Sequence, residues 1–219
     1  MAMTRPDGIP APAVRRLSLY LRQLEALRES NLQTVSSKQL GQALRFTDAQ
    51  VRKDLAYFGQ FGQPGIGYDV GELIARLRSI LGTDRIWKVA LVGAGNLGRA
   101  LLAYRGFDKR GFELAAVFDS DPDKVDQPVS AEIPLTVRSI GELPAVVRSL
   151  DIRMAVVAVP ARVAAEIADA LIVAGVRGIL NFAPVSLHPP PGVMVVNVDL
   201  AVQLEQLSFN VATSRPAQD

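Results

Sequence analysis

The stretch KVALVGAGNLGRALLAY, Lys88 to Tyr104, decides the fold. Its first part belongs to an apolar, β-branched run, Trp87–Val92, of the length of one buried strand. Gly93, Gly95 and Gly98 follow at once, and a helical pattern over residues 96–104 opens on them. A strand, glycines spaced GxGxxG and a helix in that order make an anion cradle. Gly93 permits the tight turn, Gly95 lets the backbone approach a pyrophosphate and Gly98 lets the helix pack on the strand, while Ala94, Asn96 and Leu97 complete the loop. A second strand over residues 113–118 ends in Asp119, 21 residues beyond Gly98. An acid at that distance binds the ribose hydroxyls and repels a 2′-phosphate. The spacing predicts a dinucleotide site that takes NAD(H) in preference to NADP(H).

The alternation continues. Strands are predicted over residues 134–137, 153–159, 178–182 and 194–198, with helices over 140–149 and 162–174 between them. This is a doubly wound α/β sheet spanning residues 86–198, whose ligands sit at the carboxyl ends of the strands. Val159 and Pro160, and Asn181, Phe182, Ala183 and Pro184, are therefore candidates for the nicotinamide side, the competing reading being that proline only ends these strands. The closing segment VDLAVQLEQLSFNV has Asp199 as a helix N-cap and Leu200, Leu204, Leu207 and Val211 along one face. No strand follows for this 199–212 helix to cover, so it presents a partner surface or docks on its own subunit. Residues 213–219 read as a flexible tail.

Residues 1–85 follow different rules. Val14, Leu17, Leu21, Leu24 and Leu27 step by three and four residues and predict a helix over 13–30. Ser36 with Gln39, and Thr47 with Gln50, are two successive capping boxes opening short helices. The joint Leu44-Arg45-Phe46-Thr47 is short enough to force a helix-turn-helix. Its second helix then presents Gln50, Arg52 and Lys53 from its early turns, which are the turns that enter a major groove. FGQFGQPGIGYDV, residues 58–70, suits a tight hairpin with Gly65 and Gly67 at positive φ and Tyr68 on the returning strand. A helix over 71–81, stopped by Gly82, closes a winged helix. The candidate DNA-binding residues are Ser37, Lys38, Thr47, Gln50, Arg52, Lys53, Gly65, Gly67 and Tyr68.

RKDLAYFGQFGQPGIGYDV, followed by LVGAGNLGRALLAY, resembles the redox-sensing transcriptional repressors of the Rex family over residues 12–210. The resemblance implies a winged helix joined to a Rossmann domain. It implies a homodimer with an exchanged terminal helix, a palindromic double-stranded DNA operator, and release of that DNA on NADH binding. Arg22, Tyr104 and Asp199 are candidate relay residues. Gln63-Pro64 stands where many members of the family carry basic residues, which predicts a shallower salt dependence of DNA binding.

Bulk properties agree with a cytoplasmic regulator. The 219 residues include no cysteine and no apolar run of about 18 residues, so neither thiolate metal sites nor a membrane span is expected. Residues 1–85 carry 12 Lys+Arg against 8 Asp+Glu, and the remainder 12 against 14, so the basic excess is at the front. An oxidoreductase needs a proton donor near the nicotinamide. The single histidine, His188, lies in the proline-rich run LHPPPG, and Lys88, Lys109 and Lys124 do not follow strand ends. The alternatives are a NAD-dependent oxidoreductase and a regulator sensing coenzyme A or another adenine nucleotide. Asp119 disfavours the latter.

Overall fold

This computed structural model describes residues 9–62, 65–131 and 133–213, and the chain divides into two compact units, Met1–Arg85 and Ile86–Asp219. In the first, α1 (Ala11–Glu29) buries Ala13, Leu17, Tyr20, Leu21 and Leu24. Val14 is 38% exposed, because Ala13 takes the inward position one residue earlier. β1 (Thr34–Val35) leads into α2 (Ser37–Leu44), where Ser36 and Gln39 form both arms of the capping box. Leu40 is buried, Leu44 half-buried, and Ala43 faces outward. After the turn comes α3 (Asp48–Ala56), capped by Thr47 Oγ1, which accepts from the Gln50 N–H at 3.1 Å. The small size of Gly41 permits the close crossing: a Cβ there would press on the Phe46 carbonyl oxygen.

The expected hairpin within residues 58–70 does not form among the described residues. Gly59, Gly62, Gly65 and Gly67 all adopt positive φ, which breaks the extended backbone that a ladder needs. The returning strand, β2 (Tyr68–Asp69), instead pairs antiparallel with β1, and α4 (Val70–Leu81) follows with Asp69 as N-cap and Gly82 as left-handed stop. Leu17, Tyr20, Leu24, Leu40, Leu55 and Leu77 form one core. Arg78 on α4 pairs with Glu25 on α1 at 2.8 Å. Gln63, Pro64 and residues 214–219 lie outside the described residues, so the expected wing tip and tail do too, apart from Thr213, which is helical.

The second unit is a seven-stranded sheet in the order β5-β6-β4-β3-β7-β8-β9. Its strands are β3 (Trp87–Val92), β4 (Phe112–Asp119), β5 (Pro128–Ser130), β6 (Ile133–Ser139), β7 (Met154–Val157), β8 (Gly178–Asn181) and β9 (Met194–Asn197). Six are parallel and ordered as in a doubly wound dinucleotide fold, so the crevice opens between the carboxyl ends of β3 and β7. β5, absent from the sequence reading, adds an antiparallel edge to β6. Between the strands run α5 (Asn96–Leu102), α6 (Leu143–Ser149) and α7 (Ala161–Ala174). One face packs Phe118, Leu143, Val157 and Leu171, the other Leu91, Val117 and Leu102. α5 stops two residues short of Tyr104, whose ring lies so close over Gly106 that a Cβ there would collide with it. The last helix, α8 (Leu200–Thr213), buries no residue.

Candidate functional site

Each glycine of the loop stands in a different environment. Gly93, at φ +100°, abuts Ala158 at the end of β7, and a side chain would strike its carbonyl oxygen. Gly98 packs α5 on the loop so closely that a Cβ would collide with the Gly93 carbonyl oxygen. Gly95 is the opposite case: a Cβ there would meet nothing within 4 Å, so the backbone faces open space at the start of α5. Tight turn, close packing and open approach fall on the glycines to which the spacing assigned them, and the cradle fits a pyrophosphate. Ala94 is buried beneath the loop, while Asn96 and Leu97 are exposed on the first turn of α5.

Asp119 ends β4 and is nearly buried. Its Oδ2 accepts from the Ala94 N–H at 2.7 Å and lies 3.4 Å from Lys124 Nζ, and its Oδ1 accepts from the Asp121 N–H at 2.9 Å. A carboxylate offers about four acceptor sites. One on Oδ1 is left for a ribose hydroxyl. Lys124, set aside as a proton donor because it does not follow a strand end, lies beside this carboxylate. Asp121, 3.1 Å from its ammonium, and Asp119 behind it hold it above the usual lysine range. Beside them Ala94, Arg99, Lys124, Gln127 and Val129 line a cavity of about 150 Å³.

On the opposite side of the crevice, Val159 is half-buried and Pro160 caps α7. Asn181 is fully buried, and its amide is committed: Nδ2 donates to Val185 O at 2.8 Å and Asn197 Oδ1 at 2.9 Å, and Oδ1 accepts from the Ala183 N–H. It shapes the loop, and Ala183 is buried with it. Phe182 and Pro184 remain open to a ligand, half-buried and exposed respectively. His188 is exposed, and among the described residues no cluster of His, Cys, Asp or Glu could hold a metal.

In the first unit, Ala49, Arg52, Lys53 and Ala56 form the exposed face of α3. Arg52 Nη1 donates to Asp48 Oδ2 at 2.8 Å and to Ser37 Oγ at 3.2 Å, tying α3 to the start of α2, while Lys38 and Lys53 project from the surface. Gln50 departs from its expected role. Its side chain turns inward and donates to Asp54 Oδ1 at 2.8 Å, so the second arm of the Thr47 box is not made and the amide is not offered to a base. Tyr68 departs too. It is 8% exposed and belongs to the core, where burial raises its hydroxyl pKa. Gly65 is exposed and Gly67 half-buried, and Ile66 between them is 64% exposed.

Asp54 anchors a network that no local pattern announces. Fully buried, it accepts from Arg16 Nε at 2.5 Å, Arg16 Nη2 at 2.7 Å and the Tyr20 hydroxyl at 2.7 Å, besides Gln50. Burial alone would raise its pKa, but the Arg16, Tyr20 and Gln50 hydrogen bonds together hold it below the usual carboxylate range. Burial, and then Asp54, push the Tyr20 hydroxyl up. The Arg16 guanidinium lies 6.0 Å over the Phe46 ring, which meets Tyr20 edge-on. α1, the turn and α3 are thereby locked together.

Of the relay candidates, Arg22 is exposed on α1. Tyr104 is 57% exposed with its ring edge-on to Phe107. Asp199 caps α8, accepting from the Ala201 and Val202 N–H groups at 2.9 and 3.2 Å. Tyr104 and Asp199 share no hydrogen bond within the chain.

Two families match this sequence, described as "Putative DNA-binding protein N-terminus" over residues 8–56 and "CoA binding domain" over residues 84–185. The chain is 48% identical over 203 residues to the redox-sensing transcriptional repressor Rex of Carboxydothermus hydrogenoformans, spanning 93% of this chain and 96% of that protein. The protein of the same name from Desulfitobacterium hafniense is 46% identical over 207 residues, 94% of this chain and 97% of its own length. Among solved structures, RSP in complex with beta-NAD+ and operator DNA superposes with a TM-score of 0.88 at 34% identity, over 93% of this chain and 92% of that one. RSP in complex with beta-NADH gives 0.83 at 32%, over 93% and 94%.

Proposed function

This chain belongs to the Rex family of redox-sensing transcriptional repressors, and we propose that its first unit binds a palindromic operator as part of a homodimer and releases it when NADH fills the glycine-loop site of the second. It is a regulator and not an enzyme, as its relatives are repressors. The observation that carries the reading is the presence in one chain of an open glycine cradle at Gly95 and a capped helix-turn-helix with Arg52 and Lys53 exposed.

NADH carries a neutral dihydronicotinamide and NAD+ a charged ring, so a site walled by Phe182 and Pro184 favours the reduced form by desolvation. Binding and release are linked: whatever factor NADH takes from operator affinity, the operator takes from NADH affinity. A 100-fold factor needs about 2.7 kcal/mol of differential affinity. The likeness to coenzyme A binding domains is one of sheet and loop. Near Asp119 a free diol suits the remaining Oδ1 site, because Lys124, the nearby cation, is already paired with the Asp119 and Asp121 carboxylates.

The dimer is proposed from α8. A 14-residue helix with no buried residue is marginal alone in water. Leu200, Leu204, Leu207 and Val211 are each more than half exposed, and the edge strand β9 exposes Met194 and Val196. A second copy covers these faces, and exchange of α8 is one way to do so. No described helix is long and apolar enough to cross a membrane, and an operator-binding protein of this kind works in the cytoplasm. Fluorescence anisotropy of a labelled palindromic duplex tests the proposal: micromolar NADH releases it and equal NAD+ does not, while indifference to both overturns the reading.

A further inference from the structure

Six turns in the described residues close with the same hydrogen bond, from the N–H after the left-handed position to the carbonyl five residues back: Leu32 to Leu27, Phe46 to Gly41, Thr83 to Arg78, Phe112 to Phe107, Ile152 to Val147 and Val176 to Leu171. In each, the residue before the donor has positive φ, as this closure requires. Five of those residues are Asn31, Gly82, Gly111, Asp151 and Gly175, types that tolerate the conformation. The sixth is Arg45, at φ 60° and ψ 39°. Among the described residues it is the sole positive-φ residue that is not Gly, Asn or Asp.

The long side chain gains no partner among the described residues in return. Arg45 is exposed, and its guanidinium has no hydrogen-bond or ion-pair partner among the described residues. Its neighbour Phe46 is turned inward against Tyr20, so the turn puts position 46 into the core and position 45 into solvent. The conformation itself is obligatory, because Gly41 brings α2 directly under the turn. A backbone-disfavoured residue held at such a point is a mark of function.

We infer that Arg45 is a DNA-binding residue, whose guanidinium contacts a backbone phosphate at the edge of the groove that α3 enters. The inference rests on the operator-binding reading above. Arg45 immediately precedes Phe46 and the N-cap Thr47 and so stands at the end of α3 nearest the bases. That end carries the acid Asp48, whose charge is answered by Arg52. Arg52 is therefore partly spent at home, and Arg45, exposed in the turn just before α3, supplies a further positive charge. A guanidinium is suited to bidentate contact with a phosphate, and a phosphate contact adds affinity without reading sequence.

The test uses the full chain and a palindromic duplex that the wild type binds, compared with a scrambled duplex of equal length. Arg45→Asn keeps a residue tolerant of positive φ and removes the charge; Arg45→Lys keeps the charge. Arg45→Asn is expected to leave the thermal midpoint unchanged or higher and to weaken binding to both duplexes by a similar factor, about 10-fold near 0.1 M salt. It also reduces the slope of log K against log salt by about 0.9, the share of one phosphate contact. Arg45→Lys recovers most of the affinity and the slope. NADH affinity measured without DNA is the same in all three proteins. Unchanged affinity and slope in Arg45→Asn, with the wild type binding normally, overturns the inference and leaves the repressor reading standing. So does a loss confined to the palindrome, which would mean base reading. Failure of the wild type to bind any duplex overturns both.

Discussion

Replacing Asp54 by alanine removes a carboxylate that is fully buried and accepts four hydrogen bonds, leaving Arg16, Tyr20 and Gln50 turned toward an empty acceptor position. Removing one partner of a buried ion pair costs about 3–5 kcal/mol. The Arg16 side chain keeps 22% of its surface in solvent and can rehydrate in part, so the lower end, about 3 kcal/mol, is expected. At roughly 4–8 °C per kcal/mol for a unit of this size, the midpoint of the first unit falls by roughly 12–24 °C. Calorimetry of the full chain reads this, with the first unit's transition identified by its shift on adding duplex DNA. Replacing the pair together, Arg16→Leu with Asp54→Leu, recovers at least half of the loss, because no charge is then left without its partner. The pH dependence carries a sign. The folded Asp54 carboxyl sits below its unfolded value, so its contribution is complete above about pH 4 and is lost as pH falls through the folded pKa. Below pH 4 the wild type therefore loses stability faster than Asp54→Asn. A shift under about 3 °C for Asp54→Ala, or the same acid dependence in Asp54→Asn, would mean that the buried Asp54 pair does not hold the first unit together.

Gly95→Val is expected to fold normally, since its Cβ enters open space at a φ of −75°, and to abolish NADH binding measured by fluorescence while operator binding persists. Gly98→Ala loses NADH binding too, but lowers the thermal midpoint as well, because its methyl meets the Gly93 carbonyl. Arg52→Ala with Lys53→Ala flattens the salt slope of operator binding by about one to two, read by anisotropy across a salt series, and leaves NADH affinity intact. Leu204→Asp with Leu207→Asp, on the exposed face of α8, yields monomers in sedimentation and weakens binding to a full palindrome far more than to a half-site.

What the sequence disclosed follows from how local each signal is. The three glycines were legible because turn, approach and packing act within six residues, and the helix caps Ser36 and Thr47 because capping acts within three. β5 was not legible: Pro128–Ser130 is short, at the sheet edge and mostly exposed, so no apolar alternation marks it. The glycine-rich run before Tyr68 read as a hairpin because glycine and bulky residues alternate there. Its four positive-φ glycines break the extended backbone instead, and Tyr68 finds its strand partner at Val35, more than thirty residues earlier. Gln50 shows the limit most plainly. Spacing allowed it to cap Thr47 or to face a base, but Asp54 claims its amide. That acid's charge is in turn stabilised by Arg16, 38 residues before it. Of the two readings open for Asn181, crevice lining or loop chemistry, its side-chain amide serves the loop, through partners at Val185 and Asn197 that no local pattern announces. The apolar face of α8 was legible in the spacing of Leu200, Leu204, Leu207 and Val211, all of which are exposed.

On the proposed function the cradle at Gly95 measures NADH, and operator affinity is the readout. A single titration tests it most directly: the dissociation constant of the wild-type chain for a palindromic duplex, measured at fixed salt against rising NADH and, separately, rising NAD+. The affinity is expected to weaken about 100-fold, saturating at micromolar NADH, to need far more NAD+ for the same effect, and to stay constant in Gly95→Val. An operator affinity that stays constant across the NADH series, in a chain shown by fluorescence to have bound it, would mean that the two sites are not coupled.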